Sequence, residues 1–242
     1  MTLAAARKSQ EQDPAATGML DLRGEALQVD PSGVVWWPDE RLLIVADLHL
    51  EKGASLASRG ALIPPYDTAA TLARLGEAIL RLRPARVIAL GDSFHDEKVS
   101  TTLPEGLRQQ LRGLMAGTEW VWIAGNHDPL PPADIGGDFT AELGLGPLLL
   151  RHEPQPGRAR GEVSGHLHPA ASVTVRGRSL RRRCAACDGE RMILPAFGAY
   201  TGGLNLRDDA FRGLFDPARL NAYMLGARTI HRVSGRRIGY TG

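Results

Sequence analysis

Asp47-Leu48-His49, Gly91-Asp92, Asn126-His127-Asp128, His152 and His166-Leu167-His168 hold the side chains of this sequence best suited to chemistry. Residues two apart in extended backbone point to one side, so Asp47 and His49 can reach one ion, and His166 and His168 again share one face. Five of the seven histidines fall in these clusters, a concentration that favours a metal centre over scattered surface imidazoles. Carboxylate, imidazole and amide oxygen are borderline donors suited to Mn, Fe or Zn. One ion could be held by Asp47, His49 and His168, and a second by Asn126, His152 and His166. Asp92 is the natural bridge, because a carboxylate can bind two cations and offset their repulsion. Two ions roughly 3.5–4 Å apart would clamp a phosphoryl group and activate a water.

The elements that must place these groups are legible around them. Arg41–Asp47 is a short apolar run ending in a polar residue, and Arg86–Leu90 and Trp120–Ala124 are apolar runs that end at Gly91-Asp92 and Gly125-Asn126-His127-Asp128, the pattern of buried strands. Between them, apolar spacing predicts helices over Asp67–Arg83, stopped by Pro84, and over about Pro104–Met115. Alternation of strand and helix predicts an α/β layered fold with parallel central strands, and ligand clusters at strand ends should converge. Met19–Trp37 reads as two short strands with a turn at Pro31-Ser32-Gly33. After Pro129, short strands around Leu148–His152, Glu162–Ser164, Ala171–Val175 and Met192–Leu194 predict a second, more antiparallel sheet packed on the first.

At 242 residues, with 29 Lys and Arg against 27 Asp and Glu, the chain can bury a full core and carries little net charge. Residues 1–18 read as a flexible tail, and residues 19–242 as one domain. No run approaches the roughly 20 apolar residues of a membrane span, and the N-terminus lacks the apolar stretch of a signal peptide. The expected location is the cytoplasm.

D-x-H, G-D, G-N-H-D, a lone His and G-H-x-H, in that order from Leu42 to His168, resemble the calcineurin-like metallophosphoesterases. Asp47–Gly53, Gly91–Asp96, Gly165–Pro169 and Leu194–Gly203 are further similar to the bacterial ligase-associated DNA-damage-response phosphoesterases. The resemblance implies two packed mixed β-sheets flanked by helices, two divalent ions with manganese foremost, and a functional link to a DNA ligase and a helicase. The family often forms homodimers. The implied reaction is direct hydrolysis of a phosphodiester, in DNA and linked to repair, by a hydroxide held between the ions. Asn126 would orient the phosphate, His127 would protonate the departing alkoxide, and Asp128 would fix the tautomer or charge of His127. The alternative substrates are small nucleotides, either cyclic diesters or monoesters. An inert scaffold on the same fold would lack ligands or the acid, whereas here every expected ligand and His127 are present.

The remaining candidates divide between substrate and structure. His95, three residues after Asp92, either contacts phosphate or caps its loop, and Tyr200 either lines the substrate groove or belongs to a tight turn. Arg176, Arg178, Arg181, Arg182 and Arg183 either contact phosphates, Arg181 foremost, or solvate a hairpin. Cys184 and Cys187 read as reduced thiols, since no second pair completes a four-ligand zinc site. Asp67 and Asp96 suit N-cap or turn roles, Glu51 and Lys52 solvate the loop after His49, and His231 faces solvent.

Overall fold

The computed structural model describes residues 18–60, 64, 66–95, 103–132 and 134–239. Residues 1–17 of the expected tail and the turn role expected of Asp96 lie outside them. The first sheet runs in chain order: β1 (Met19–Leu22), β2 (Glu25–Val29), β3 (Val35–Trp37), β4 (Leu42–Val45), β5 (Arg86–Leu90), β6 (Glu119–Ile123) and β7 (Asp138–Thr140). Pairing is antiparallel from β1 to β4 and parallel from β4 to β7. Helices α1 (Lys52–Ser58) and α2 (Asp67–Leu82) join β4 to β5, and α3 (Glu105–Met115) precedes β6.

Alternation divides each central strand between two cores. Leu42 and Ile44, Ile88 and Leu90, and Val121 and Ile123 face the second sheet. Leu43 and Val45, Val87 and Ala89, and Trp120 and Trp122 face Leu72, Leu75 and Ala78 of α2 and Leu111 of α3. Strands covered on both faces have no polar side to show, which is why they read as unbroken apolar runs.

The second sheet is mixed, in the order β14 (Leu204–Asn205), β11 (Pro169–Val175), β12 (Arg178–Cys187), β13 (Arg191–Ile193), β10 (Glu162–Ser164), β9 (Leu148–Arg151), β8 (Glu142–Leu145). β15 (Asn221–Leu225) pairs with β12, and β16 (Ile230–Ser234) pairs with β15. β9–β10, β10–β13 and β11–β14 are parallel, so the sheet is less antiparallel than expected. The N-terminal segment holds three strands where two are expected, because Arg23 and Gly24, both at positive φ, make an additional tight turn. The expected turn at Pro31–Gly33 is present, with the Gly33 amide donating to the Asp30 carbonyl at 2.8 Å.

One buried ion pair staples the second sheet. Arg191, its side chain 1% exposed, donates to Glu162 at 2.6 Å and to the carbonyls of Gly157 and Leu214 at 3.1 and 2.5 Å. Removing one partner of such a pair strands a buried charge, at about 3–5 kcal/mol. Arg191→Ala is therefore expected to lower Tm by about 10 °C. A thermal melt within 2–3 °C of the parent would show the pair to be dispensable.

Candidate metal centre

Five ligand loops follow the C-terminal ends of β4, β5, β6, β9 and β10. Beyond β4 and β5 the chain stays zipped: His49 N–H donates to Asp92 O at 2.9 Å, and Leu50 N–H to Ser93 O at 2.9 Å. Gly91 permits a close approach, since a Cβ there would sit 2.6 Å from the His152 ring. Asp47, His49, Asp92, His166 and His168 all have φ between 43° and 67°, the left-handed region that side chains other than glycine avoid. Strain of this kind persists only where the surroundings impose it, and here it falls on five of the seven predicted ligands.

The donors form the two groups expected. In the first, His168 Nε2 lies 3.3 Å from Asp47 Oδ1 and 3.4 Å from His49 Nε2. In the second, His152 Nε2 lies 3.3 Å from Asp92 Oδ1, 3.2 Å from His166 Nδ1 and 3.0 Å from Asn126 Oδ1. The other Asp92 oxygen, Oδ2, turns toward His49 Nε2 at 3.9 Å. One carboxylate thus faces both groups, one oxygen to each. His152 Nδ1 is held by the Leu90 carbonyl at 2.8 Å, which fixes its ring and directs Nε2 inward.

These residues fit a pair of divalent cations. Burial lowers the His49 pKa to about 3 and so keeps the ring neutral, the form that ligates. Burial opposes charge on His152 too, but the Asp92 hydrogen bond and the Asp47 and Asp92 charges overbalance it and raise the pKa to about 9. Buried imidazole nitrogens converging on carboxylates, with ring nitrogens 3.2–3.4 Å apart, are the donor set a cation would organise.

Asp128 takes a different place from the one expected. It is buried and accepts the backbone N–H groups of Asp92, Ser93 and Phe94 at 2.9, 2.7 and 3.1 Å. Burial, opposed by these bonds and aided by the Asp92 charge, raises its pKa to about 6. No hydrogen bond joins it to His127 among the described residues, so its work is to hold the Asp92 loop. His127 instead stacks on His95, with ring centroids 5.6 Å apart and 18° between planes, and meets the His49 ring edge at 5.4 Å. Its Nε2 lies 4.0 Å from Asp92 Oδ2, and its side chain is 41% exposed. The structure therefore brings His95 to the centre beside His127.

The other candidates sort by exposure. Tyr200 is partly exposed and donates to Pro64 O at 2.8 Å. Arg176, Arg178, Arg181 and Arg182 are exposed on the β11–β12 hairpin, Arg181 donating to the Gly203 carbonyl, whereas Arg183 is half-buried. Cys184 and Cys187 are free and buried, Cys187 in the core between the sheets and Cys184 on the other face of the second sheet with Ile193, Phe211 and Met224. A spacing of three in a strand sends them to opposite faces, so they cannot share an ion. Asp67 is the first residue of α2 and not its cap, accepting Gly53 N–H at 2.8 Å. Glu51 opens α1 and His231 is exposed as expected.

A two-sheet sandwich whose parallel strands deliver paired Asp and His donors to one seam defines the class of metal-dependent phosphoester hydrolases. The calcineurin-like phosphoesterase family model matches residues 40–184, and the chain belongs to that family. The solved structure of Pseudomonas putida nuclease MPE is similar, with a TM-score of 0.69 and 31% identity, over 89% of this chain and 98% of that one. No curated protein matches. No helix among the described residues is long and apolar enough to cross a membrane.

Proposed function

We propose that the protein is a phosphodiesterase of the nuclease type, acting on DNA. The observation that carries this reading is Asp92, one oxygen turned to each donor group, 3.3 Å from His152 and 3.9 Å from His49. Two cations, manganese foremost, held by Asp47, His49 and His168 and by Asn126, His152 and His166 across Asp92, would supply Lewis acidity and an activated water. Asn126 presents its carboxamide beside His152 and His166, where it orients a phosphoryl oxygen. His127 is held by its stack on His95 with its outer side in solvent, and hands a proton to the departing alkoxide. His95 positions that ring.

The nuclease among the similar structures supports a nucleic-acid substrate, and so does the hairpin. β11 starts one residue after His168 and extends seven residues, about 20 Å, and the returning β12 carries Arg178, Arg181 and Arg182 beside it, with Arg176 in the turn. Phosphates spaced along a strand would follow such a track. A second reading, hydrolysis of small nucleotides, draws on a cavity of about 440 Å³ beside Asn126 and His152. Its lining includes Arg151, paired with Glu142, and Glu153, and its size suits a small ligand.

The test compares plasmid nicking, a linear dinucleotide diester and a nucleotide monoester with the Mn-loaded protein, using Asp92→Asn to exclude a contaminating nuclease. Nicking is expected to dominate. Replacing Arg176, Arg178 and Arg182 by Ser is expected to weaken DNA binding and flatten its salt dependence, the slope falling by roughly one for every phosphate left without its arginine. Unchanged binding would assign the hairpin to solubility, and monoester turnover without nicking would favour the second reading.

A further inference from the structure

We propose that Arg74 and Arg183 are positioning residues for the Asp47–His49–His168 half of the centre, acting through the strap Ala196–Thr201. The inference rests on the two-ion reading above. Arg183 donates to the carbonyls of Ala196, Gly198, Ala199 and Thr201 at 3.0, 3.0, 3.4 and 2.8 Å. Arg74 donates to the Phe197 carbonyl and lies 4.2 Å from the centre of the Phe197 ring. Five of six strap carbonyls thus turn toward two guanidiniums. Neither guanidinium pairs with a carboxylate among the described residues, so on the protein side the strap carbonyls and the Phe197 ring face two neighbouring positive charges.

With the carbonyls drawn one way, amides of the strap point the other. Phe197 N–H donates to Ala46 O at 2.9 Å, Gly198 N–H to Asp47 O at 3.0 Å, and Ala199 N–H to Thr71 Oγ1 at 3.1 Å. The contact is close: a Cβ on residue 198 would sit 2.4 Å from Leu48 O. The strap therefore presses on the segment where Asp47 and His49 are held at φ 55° and 43°. Those conformations need an external constraint, and the strap supplies it. Just beyond the strap, Leu204 N–H donates to His168 O at 2.9 Å, so the same stretch of chain also places the third donor. Asp92, Asn126, His152 and His166 take no hydrogen bond from the strap among the described residues. Two arginines remote from the reacting atoms would thus set one metal site and not the other.

The test measures Mn²⁺ affinity by isothermal titration calorimetry in two backgrounds: His166→Ala, which leaves the first donor group, and His168→Ala, which leaves the second. Arg183→Gln is expected to weaken binding at least tenfold in the first background and less than twofold in the second. Equal losses in both, or no loss in the first, would overturn the proposal and leave the arginines a purely structural role. Should Arg183→Gln fail to fold, Arg74→Gln decides by the same comparison. If the unsubstituted protein takes up no Mn²⁺, the two-ion reading itself fails, and this inference with it.

Discussion

Replacing Asp92 by Asn is expected to cut phosphodiester hydrolysis about a thousandfold while leaving the fold intact. The carboxylate faces both donor groups, and its negative charge is what would allow two cations to sit side by side. An amide has one acceptor oxygen and no charge, so both sites weaken together. Metal-ion catalysis contributes several kcal/mol, and a loss of about 4 kcal/mol corresponds to about a thousandfold in rate. The substitution should be well tolerated structurally, because Asn retains an oxygen to accept His127 N–H, now at 3.0 Å from Asp92 Oδ1. Metal analysis should find less than the two equivalents expected of the parent, with an unchanged circular dichroism spectrum. Turnover within tenfold of the parent, at undiminished metal content, would remove Asp92 from the bridging role.

The second large effect belongs to His127, and it depends on the substrate. A nucleotide diester expels an alkoxide that needs a proton, and a positioned acid contributes about 10²–10⁴-fold to such a step. A nitrophenolate leaves unaided. His127→Ala is therefore expected to slow a dinucleotide diester by at least a hundredfold and an aryl diester by tenfold or less, with both metals retained. The ring is well placed for this work, half in solvent and stacked on His95 instead of being engaged by Asp128. Equal losses on both substrates would point to binding or metal retention as the role of His127.

The ligand set was legible because its signal is local. Donors clustered just past the end of an apolar run state where they sit, and this located Asp47, His49, His166 and His168. The extended backbone that a spacing of two assumes is not the one adopted, since all four lie at φ between 43° and 67°, and His166 and His168 join different groups. What the sequence could not carry is anything that depends on a partner far along the chain. Asp128 is adjacent to His127, which suggested that it serves that ring, yet its carboxylate binds amides 34–36 residues earlier. The arginines of β12 form one run on paper, but alternation and depth divide them: Arg183 is drawn under the strap while its neighbours stay in water. β12 itself was hidden because its first five residues are exposed, leaving no apolar alternation to read. The left-handed backbone at Asp47 and His49 has no composition signal either, since glycine, its usual marker, is absent there.

Each donor group draws on both sheets: Asp47 and His49 with His168, and Asp92 and Asn126 with His152 and His166. Neither group exists on one sheet alone, so an ion cannot be captured until the two halves of the sandwich have closed on each other. Metal uptake would then be a late event in folding, and a bound ion a cross-link across the seam. Chelation would accordingly loosen the interface between the layers before it disturbs either layer, so amide exchange at the ends of β4 and β10 should quicken first.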